Sequence, residues 1–258
     1  MPPAMPTPAC AVMNGEATET LHHIRRLNGG KGPRAGGVCF LGDSEFTFWH
    51  RLQEDMAPFS ADCFNAGFGG SRCVDVGVHL RRLCLDWEPS VVIVHVGGND
   101  FDMEPNLLAS EMPARLLALF EDIAAHPSVE RIGYLLSSRR PCYDDVKWAF
   151  MLQVHKLTLA AIDASPLRES IAVLDLRTMI HPLDEFVASD RQHLNQRGHL
   201  RKAQELLPIL DSAWDDMPPC NWPARGGPAQ GKPAHGQRDD ANSPDLELCL
   251  QHDGEGAE

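Results

Sequence analysis

VVIVHVGGND, the stretch from Val91 to Asp100, decides the fold of this 258-residue chain. Five of the six residues from Val91 to Val96 are Val or Ile, and two glycines end the run. A continuous apolar run of this length, ended by glycines, is typical of a parallel strand that is buried on both faces.

The same pattern recurs along the chain and predicts a repeated strand–helix order. Four more apolar runs predict strands at Val38–Leu41, Cys63–Asn65, Ile132–Leu136 and Ile171–Leu174. Helices are predicted to follow Ser71, Ser110, Asp144 and Asn195. The apolar residues expected to face the sheet are Val74 and Val78 in the first helix, Leu116, Phe120 and Ile123 in the second, Val146, Phe150, Val154, Leu157 and Ala161 in the third, and Leu200, Ala203, Leu207, Leu210 and Trp214 in the fourth. This alternation predicts a three-layer α/β/α sandwich around a five-stranded parallel sheet, with the flavodoxin-like strand order 2-1-3-4-5.

Composition divides the chain into three parts. Residues 1–36 are rich in Pro, Gly and polar side chains and are predicted to form a flexible N-terminal extension. Residues 37–216 carry the alternating pattern and are the predicted folded domain. Residues 217–258 hold six Pro and six Gly with few large apolar side chains, which predicts a disordered tail because little surface could be buried there.

Charge and cysteine content narrow the class of partner and the compartment. The net charge of -13 argues against nucleic acid or an anionic membrane as the main partner. No apolar run approaches the roughly 20 residues of a membrane span, and the N-terminus lacks the apolar segment of a secretory signal. Cys39, Cys63, Cys73 and Cys84 lie in predicted strands and helices and are expected to be buried thiols. We therefore expect a cytoplasmic protein.

Four polar motifs each follow a predicted strand. They are Gly42-Asp43-Ser44, Asn65-Ala66-Gly67-Phe68-Gly69-Gly70, Gly97-Gly98-Asn99-Asp100 and Asp190-Arg191-Gln192-His193. In an open parallel sheet these positions converge at one edge, where ligands bind. Together they offer what acyl transfer needs: a nucleophile, backbone donors, a side-chain amide donor, and a base with an orienting carboxylate.

Each motif predicts one catalytic part. Ser44 is the candidate nucleophile, and Asp190 can accept the Nδ1–H of His193, so that Nε2 is left to deprotonate Ser44. The backbone N–H groups of Ser44 and Gly70 and the side-chain amide of Asn99 are candidate donors to an oxyanion. Taken singly, each motif also has a structural interpretation: a serine N-cap, a glycine turn between strand and helix, and an Asn that caps a helix.

No cofactor or metal is expected. The glycines lack the G-x-G-x-x-G spacing, no two cysteines form a C-x-x-C pair, and H-E-x-x-H is absent. His79, His95, His155 and His199 are predicted to be helix or core residues, and Asp100 is predicted to have a structural role.

On these four motifs, the chain resembles the SGNH hydrolases of the GDSL esterase/lipase superfamily over about Val38 to Trp214. The resemblance implies a Ser–His–Asp triad of Ser44, His193 and Asp190, and an oxyanion hole of Ser44, Gly70 and Asn99. The motif from Asn65 to Gly70 is similar to that of the platelet-activating-factor acetylhydrolase-like branch. Two positions depart from the family: Glu45 stands where Leu is usual, and Arg191 where Gly is frequent before the histidine.

The prediction is therefore a serine esterase that hydrolyses small, short-chain acyl esters. Short chains are favoured because no large insertion could form a lid. Arg139 and Arg140, after the fourth strand, are candidate contacts for an anionic substrate, although solvated surface arginines are the alternative.

Three other functional or structural classes are weighed against this prediction. An acyltransferase would use the same triad, and a non-catalytic flavodoxin-like module could bind a ligand in the same crevice. The α/β-hydrolase fold is disfavoured because Phe46 replaces the last glycine of G-x-S-x-G. The oligomeric state is open.

Overall fold

The computed structural model describes residues 17–136, 138–177 and 184–215. Its centre is one parallel sheet, in which the strands lie in the order β2-β1-β3-β4-β5. The strands are β1 (Val38–Gly42), β2 (Cys63–Gly67), β3 (Val91–His95), β4 (Arg131–Leu136) and β5 (Ile171–Asp175). The predicted strands and their predicted order are confirmed.

Helices connect the strands and cover both faces of the sheet. They are α1 (Ala17–Leu27), α2 (Ser44–Thr47), α3 (Leu52–Asp55), α4 (Cys73–Leu83), α5 (Gly98–Met103), α6 (Met112–Ala124), α7 (Asp145–Asp163) and α8 (Gln196–Asp215). Two predicted helix starts show the expected caps. Asp144 accepts the N–H of Lys147 at 2.7 Å, and the Asn195 side chain accepts the N–H of Gly198 at 3.0 Å.

Each strand contributes to two hydrophobic cores, one on either side of the sheet. In β3, Val92 and Val94 join the core beneath α4, α6 and α7, whereas Val91 and Ile93 join the core beneath α2, α3 and α8. All four side chains are fully buried. Burial on both faces explains why the strands read as continuous apolar runs rather than as alternating ones.

The predicted apolar stripe on α4 is wrong. Val74 and Val78 are 40% and 79% exposed, and the buried stripe is formed instead by Val76, Leu80 and Leu83. This second stripe has the same helical spacing and larger side chains, so it buries more apolar area.

The other predicted stripes are confirmed in part. Leu116, Phe120 and Ile123 are fully buried in α6, as predicted. At the starts of α7 and α8, however, Val146 and Leu200 are exposed.

Helix α1 lies inside the segment predicted to be a flexible extension, and it packs on the domain. Ile24 is completely buried, and the ring Nε2 of His23 donates to the Gly67 carbonyl at 2.7 Å. The Asn28 side chain accepts the N–H of Asn65 at 2.7 Å and donates to its carbonyl at 2.9 Å. Asn28 thereby satisfies backbone groups along the edge strand β2, which would otherwise lack partners.

Both end segments of the chain extend beyond the described residues. Residues 1–16 of the predicted extension and the predicted tail over 217–258 lie outside the described residues. In the described part of the chain, none of the helices combines the length and apolar character that crossing a membrane requires.

Candidate active site

The turn that carries Ser44 is built from the end of β1 and the start of α2. Asp43 caps α2 by accepting the N–H of Glu45 at 2.9 Å, and Ser44 is the first residue of the helix. A Cβ atom at Gly42 would overlap the carbonyl oxygen of His95, so only glycine fits at the end of this strand. The turn leaves Ser44 partly exposed at the carboxyl edge of the sheet.

His193 lies between Ser44 and Asp190. Its Nε2 is 2.8 Å from the Oγ of Ser44, and its Nδ1 is 2.6 Å from Oδ2 of Asp190. The other Asp190 oxygen accepts the backbone N–H groups of Gln192 and His193, at 2.9 and 3.0 Å. Because an ionised carboxylate only accepts hydrogen bonds, the proton of His193 lies on Nδ1 and its Nε2 faces the serine hydroxyl.

The surroundings of Asp190 favour its ionised form. Burial alone would raise the pKa of the carboxyl, but the hydrogen bonds from the His193 ring and from the two backbone N–H groups lower it overall. The carboxylate can therefore hold the imidazole in one orientation and stabilise its protonated form.

A tight turn brings His193 back towards Ser44. Val187 and Leu194 form an antiparallel bridge that closes this turn. Arg191 adopts φ 60 inside it, a left-handed conformation that favours glycine, which explains why glycine is frequent at this position in the family that the chain resembles. The Arg191 carbonyl accepts the N–H of Cys142 at 3.2 Å, which ties the turn to the loop after β4.

Asn99 lies in the first turn of α5. Its side-chain amide donates one hydrogen bond to the Ser71 carbonyl at 2.9 Å, which fixes the amide plane, and the amide carries a second N–H. Gly70 adopts φ 75 in the turn that leads to α4, one residue before Ser71. Asn99 lines the cleft described next, whereas Gly70 is not among its lining residues.

A small cleft lies over these groups. Its volume is about 20 Å³. Its lining residues come from the ends of β1 and β3, the loop after β4, the start of α7 and the His193 turn: Asp43, Ser44, Glu45, His95, Gly98, Asn99, Tyr143, Lys147, Gln192 and His193. Ser44, Asn99 and His193, which the sequence places in three separate motifs, thus share one cleft.

Comparisons with known proteins identify the fold. No protein-family model matches the chain, and no curated protein matches it significantly. Solved structures do match. A protein from Streptococcus pneumonia, provisionally named a platelet activating factor, is 16% identical, with a TM-score of 0.60 over 78% of this chain and 95% of its own. The lipase/acylhydrolase from Enterococcus faecalis is 18% identical, with a TM-score of 0.53 over 70% of this chain and 95% of its own.

A catalytic mutant of Axe2, an acetylxylan esterase from Geobacillus stearothermophilus, is 16% identical, with a TM-score of 0.55 over 70% of this chain and 96% of its own. The chain shares their fold. The three-layer α/β/α fold that the resemblance implies is thereby confirmed.

Glu45, the departure next to the nucleophile, is the centre of a buried charge cluster. Its Oε1 accepts hydrogen bonds from Arg140 at 2.6 Å and from Lys202 at 2.9 Å, and all three residues are buried. Burial alone would raise the pKa of Glu45, but Arg140 and Lys202 hold it well below its usual range. The cluster connects the Ser44 turn to the loop after β4 and to α8.

The structure gives both candidate substrate arginines partners within the protein. Arg140 is buried and bonds Glu45 and the Ser138 hydroxyl, the latter at 2.8 Å. Arg139 pairs with the exposed carboxylate of Asp145 at 2.6 Å. Neither arginine lines the cleft. We therefore include neither among the proposed substrate contacts.

Asp100 has the predicted structural role. Its side chain accepts the N–H of Cys73, at the start of α4, at 2.9 Å, and a hydrogen bond from Arg115 at 3.3 Å. Burial raises the pKa of this carboxyl to about 6.

The four histidines predicted to be helix or core residues have those places. His95, His155 and His199 are buried, whereas His79 is half-buried on α4. In the part of the chain that the structure describes, no group of three or more His, Cys, Asp or Glu side chains is placed to hold a metal ion.

Sequence reasoning missed two residues of the cleft, Tyr143 and Lys147. Tyr143 belongs to the same loop after β4 as the candidate contacts Arg139 and Arg140, so the sequence points to the loop but not to this residue. Lys147 lies in the first turn of α7 and had no motif to mark it. Its signal is its position three residues after the helix cap Asp144, which turns it towards the sheet edge.

Proposed function

We propose that this chain is a serine esterase that hydrolyses small, short-chain acyl esters through an acyl-enzyme. The observation that carries the proposal is the continuous relay from Ser44 Oγ through His193 to Asp190, with distances of 2.8 and 2.6 Å. A serine hydroxyl is a weak nucleophile at neutral pH and needs a base at this distance.

In the first half of the reaction, His193 Nε2 takes the hydroxyl proton while Ser44 Oγ attacks the ester carbonyl carbon. The negative charge passes to the carbonyl oxygen, which accepts hydrogen bonds from the N–H groups of Ser44 and Gly70 and from the Asn99 amide. The intermediate then collapses, the carbon–oxygen bond to the alcohol breaks, and His193 returns its proton to the leaving alcohol oxygen.

In the second half, water replaces the alcohol. His193 removes a proton from the water as its oxygen attacks the acyl-enzyme, and then returns that proton to Ser44 Oγ when the carboxylic acid leaves. Asp190 stays ionised throughout and holds the imidazole in place.

The fold and the cleft support the choice of reaction and substrate. Structures with this fold include proteins named lipase/acylhydrolase and acetylxylan esterase, which supports small ester substrates. The cleft volume of about 20 Å³ supports a short acyl group. We also propose that the enzyme works in the cytoplasm, since the buried cysteines of the described chain are free thiols.

Steady-state hydrolysis of p-nitrophenyl acetate tests the proposal. Ser44→Ala and His193→Ala should each lower kcat by at least about 10³-fold while the protein stays folded. Ser110→Ala, an exposed serine ahead of α6, is the matched control and should keep wild-type kinetics. Wild-type turnover by folded Ser44→Ala would exclude this mechanism.

A further inference from the structure

Two cleft residues that the catalytic relay does not use form a rigid wall. The Lys147 ammonium lies 4.4 Å from the centre of the Tyr143 ring and 2.5 Å from Oδ2 of Asp102. Lys147 is only 8% exposed. The ion pair and the cation–π contact therefore hold the buried lysine and the ring together.

The loop that carries Tyr143 is held in place by the buried Arg140–Glu45 pair. The N–H of Tyr143 donates to the Arg140 carbonyl at 2.9 Å, and the Arg140 side chain is fixed by the buried Glu45. At the other end of the side chain, a Cβ atom at Gly98 would lie 3.6 Å from the Tyr143 hydroxyl oxygen. The phenol ring therefore lies over the backbone next to Asn99 and has little freedom to move away from it.

The two sides of the cleft, at His193 and at Tyr143, differ in their exposure to solvent. Phe48, whose ring centre lies 4.4 Å from that of His193, is 43% exposed. Because His193 must protonate the leaving oxygen, the alcohol of a substrate lies on this open side. The acyl group is then directed into the enclosed part beside Tyr143.

The cleft as a whole is very small, so its enclosed part can be no larger. A cavity that holds one water molecule has a volume of roughly 10–15 Å³. The volume of the cleft, measured in the same way, is about 20 Å³. This is room for a methyl-sized group and not for a longer alkyl chain.

We infer that Tyr143, held in place by Lys147 and Asp102, is a specificity-determining residue that restricts the acyl group to acetyl. The substrates would be acetyl-type esters of alcohols whose bulk remains in solvent. This inference rests on the proposed esterase function and goes beyond it in naming the acyl group and the residue that limits it.

The test is the ratio of kcat/KM for p-nitrophenyl acetate to that for p-nitrophenyl butyrate. In the wild type we expect the ratio to exceed about 10, because one or two methylenes that do not fit commonly cost 10-fold or more. Tyr143→Ala should lower this ratio at least tenfold by opening the wall, whereas Tyr143→Phe should keep it. Val146→Ala truncates an exposed side chain next to Lys147 and should also keep it.

A second variant tests the inference if Tyr143→Ala does not fold. Lys147→Met keeps most of the side-chain volume but removes the ion pair and the cation–π contact, and it should lower the ratio about threefold or more. A wild type that prefers butyrate would overturn the inference. So would an unchanged ratio in folded Lys147→Met, or an unchanged ratio in folded Tyr143→Ala. In these cases the esterase proposal survives; absence of wild-type esterase activity would remove both.

Discussion

At the scale of single residues, the contribution of Asn99 can be tested on its own. Its amide is a neutral hydrogen-bond donor, so replacing it removes the donor without changing the charge of the site. We expect Asn99→Ala to lower kcat by about 10²–10³, as the loss of one oxyanion donor does in other enzymes. Asn106→Ala, an exposed asparagine on the neighbouring loop, should leave kcat unchanged. Kinetics together with far-UV circular dichroism would check this. A kcat within threefold of wild type, with an intact spectrum, would remove Asn99 from the site.

The residues that could be foreseen are those that sit in motifs. Ser44 and Asn99 follow neighbouring strands, so the topology of a parallel sheet predicts that they meet. His193 belongs to a motif as well, but it reaches them through the turn that Val187 and Leu194 close. Lys147 could not be foreseen in this way. Its place in the cleft depends on the direction of a helix axis and on an ion pair with Asp102, 45 residues earlier in the chain.

At the scale of elements, Glu45 connects α2, α8 and the loop after β4. We expect Glu45→Leu, which introduces the residue usual in the family, to lower the free energy of unfolding by about 3–5 kcal/mol, because Arg140 and Lys202 would stay buried without their carboxylate. A triple variant in which Glu45, Arg140 and Lys202 are all replaced by leucine or methionine should recover most of the lost free energy of unfolding.

Denaturant unfolding of these variants would measure the effect. The control is Glu54→Leu, which breaks the exposed Arg51–Glu54 pair and should change stability by less than about 1 kcal/mol. If Glu45→Leu were as stable as the wild type, the cluster would not hold these elements together.

The elements themselves were predictable to different degrees. Strands that are buried on both faces have one uninterrupted apolar signature, so β1 and β3 are evident from sequence. Helix α1 is not, because it attaches largely through polar groups, with Asn28 bonding the backbone of β2. On α4, two apolar stripes compete, and sequence periodicity alone does not decide between them.

At the scale of the whole molecule, buried histidines make stability depend on pH. Burial, reinforced by Arg177 and His95, lowers the pKa of His155 to about 4, and no hydrogen-bond partner for its Nδ1 lies among the described residues. Burial also lowers the pKa of His199, to about 3. An unfolded chain binds these protons near pH 6.5, so between pH 6.5 and about 4 it binds more protons than the folded protein.

The free energy of unfolding should therefore fall as the pH decreases through this window, by about 1.4 kcal/mol per pH unit for each such histidine. Asp100, with its raised pKa, acts in the opposite direction below about pH 6. The contribution of His155 is therefore best isolated as a difference between variants. His155→Gln should reduce the slope by about 1 kcal/mol per pH unit, whereas the exposed His22→Gln should not. Equal slopes for His155→Gln and the wild type would contradict this assignment.

The most direct test of the central claim, that Ser44 is a nucleophile activated by His193, is covalent labelling with a fluorophosphonate followed by peptide mapping. The account predicts one adduct per chain, on Ser44, with no adduct in Ser44→Ala and at least 10³-fold slower labelling in His193→Ala. Ser110→Ala should label like the wild type. An adduct on any other residue, or labelling of folded Ser44→Ala at the wild-type rate, would contradict it.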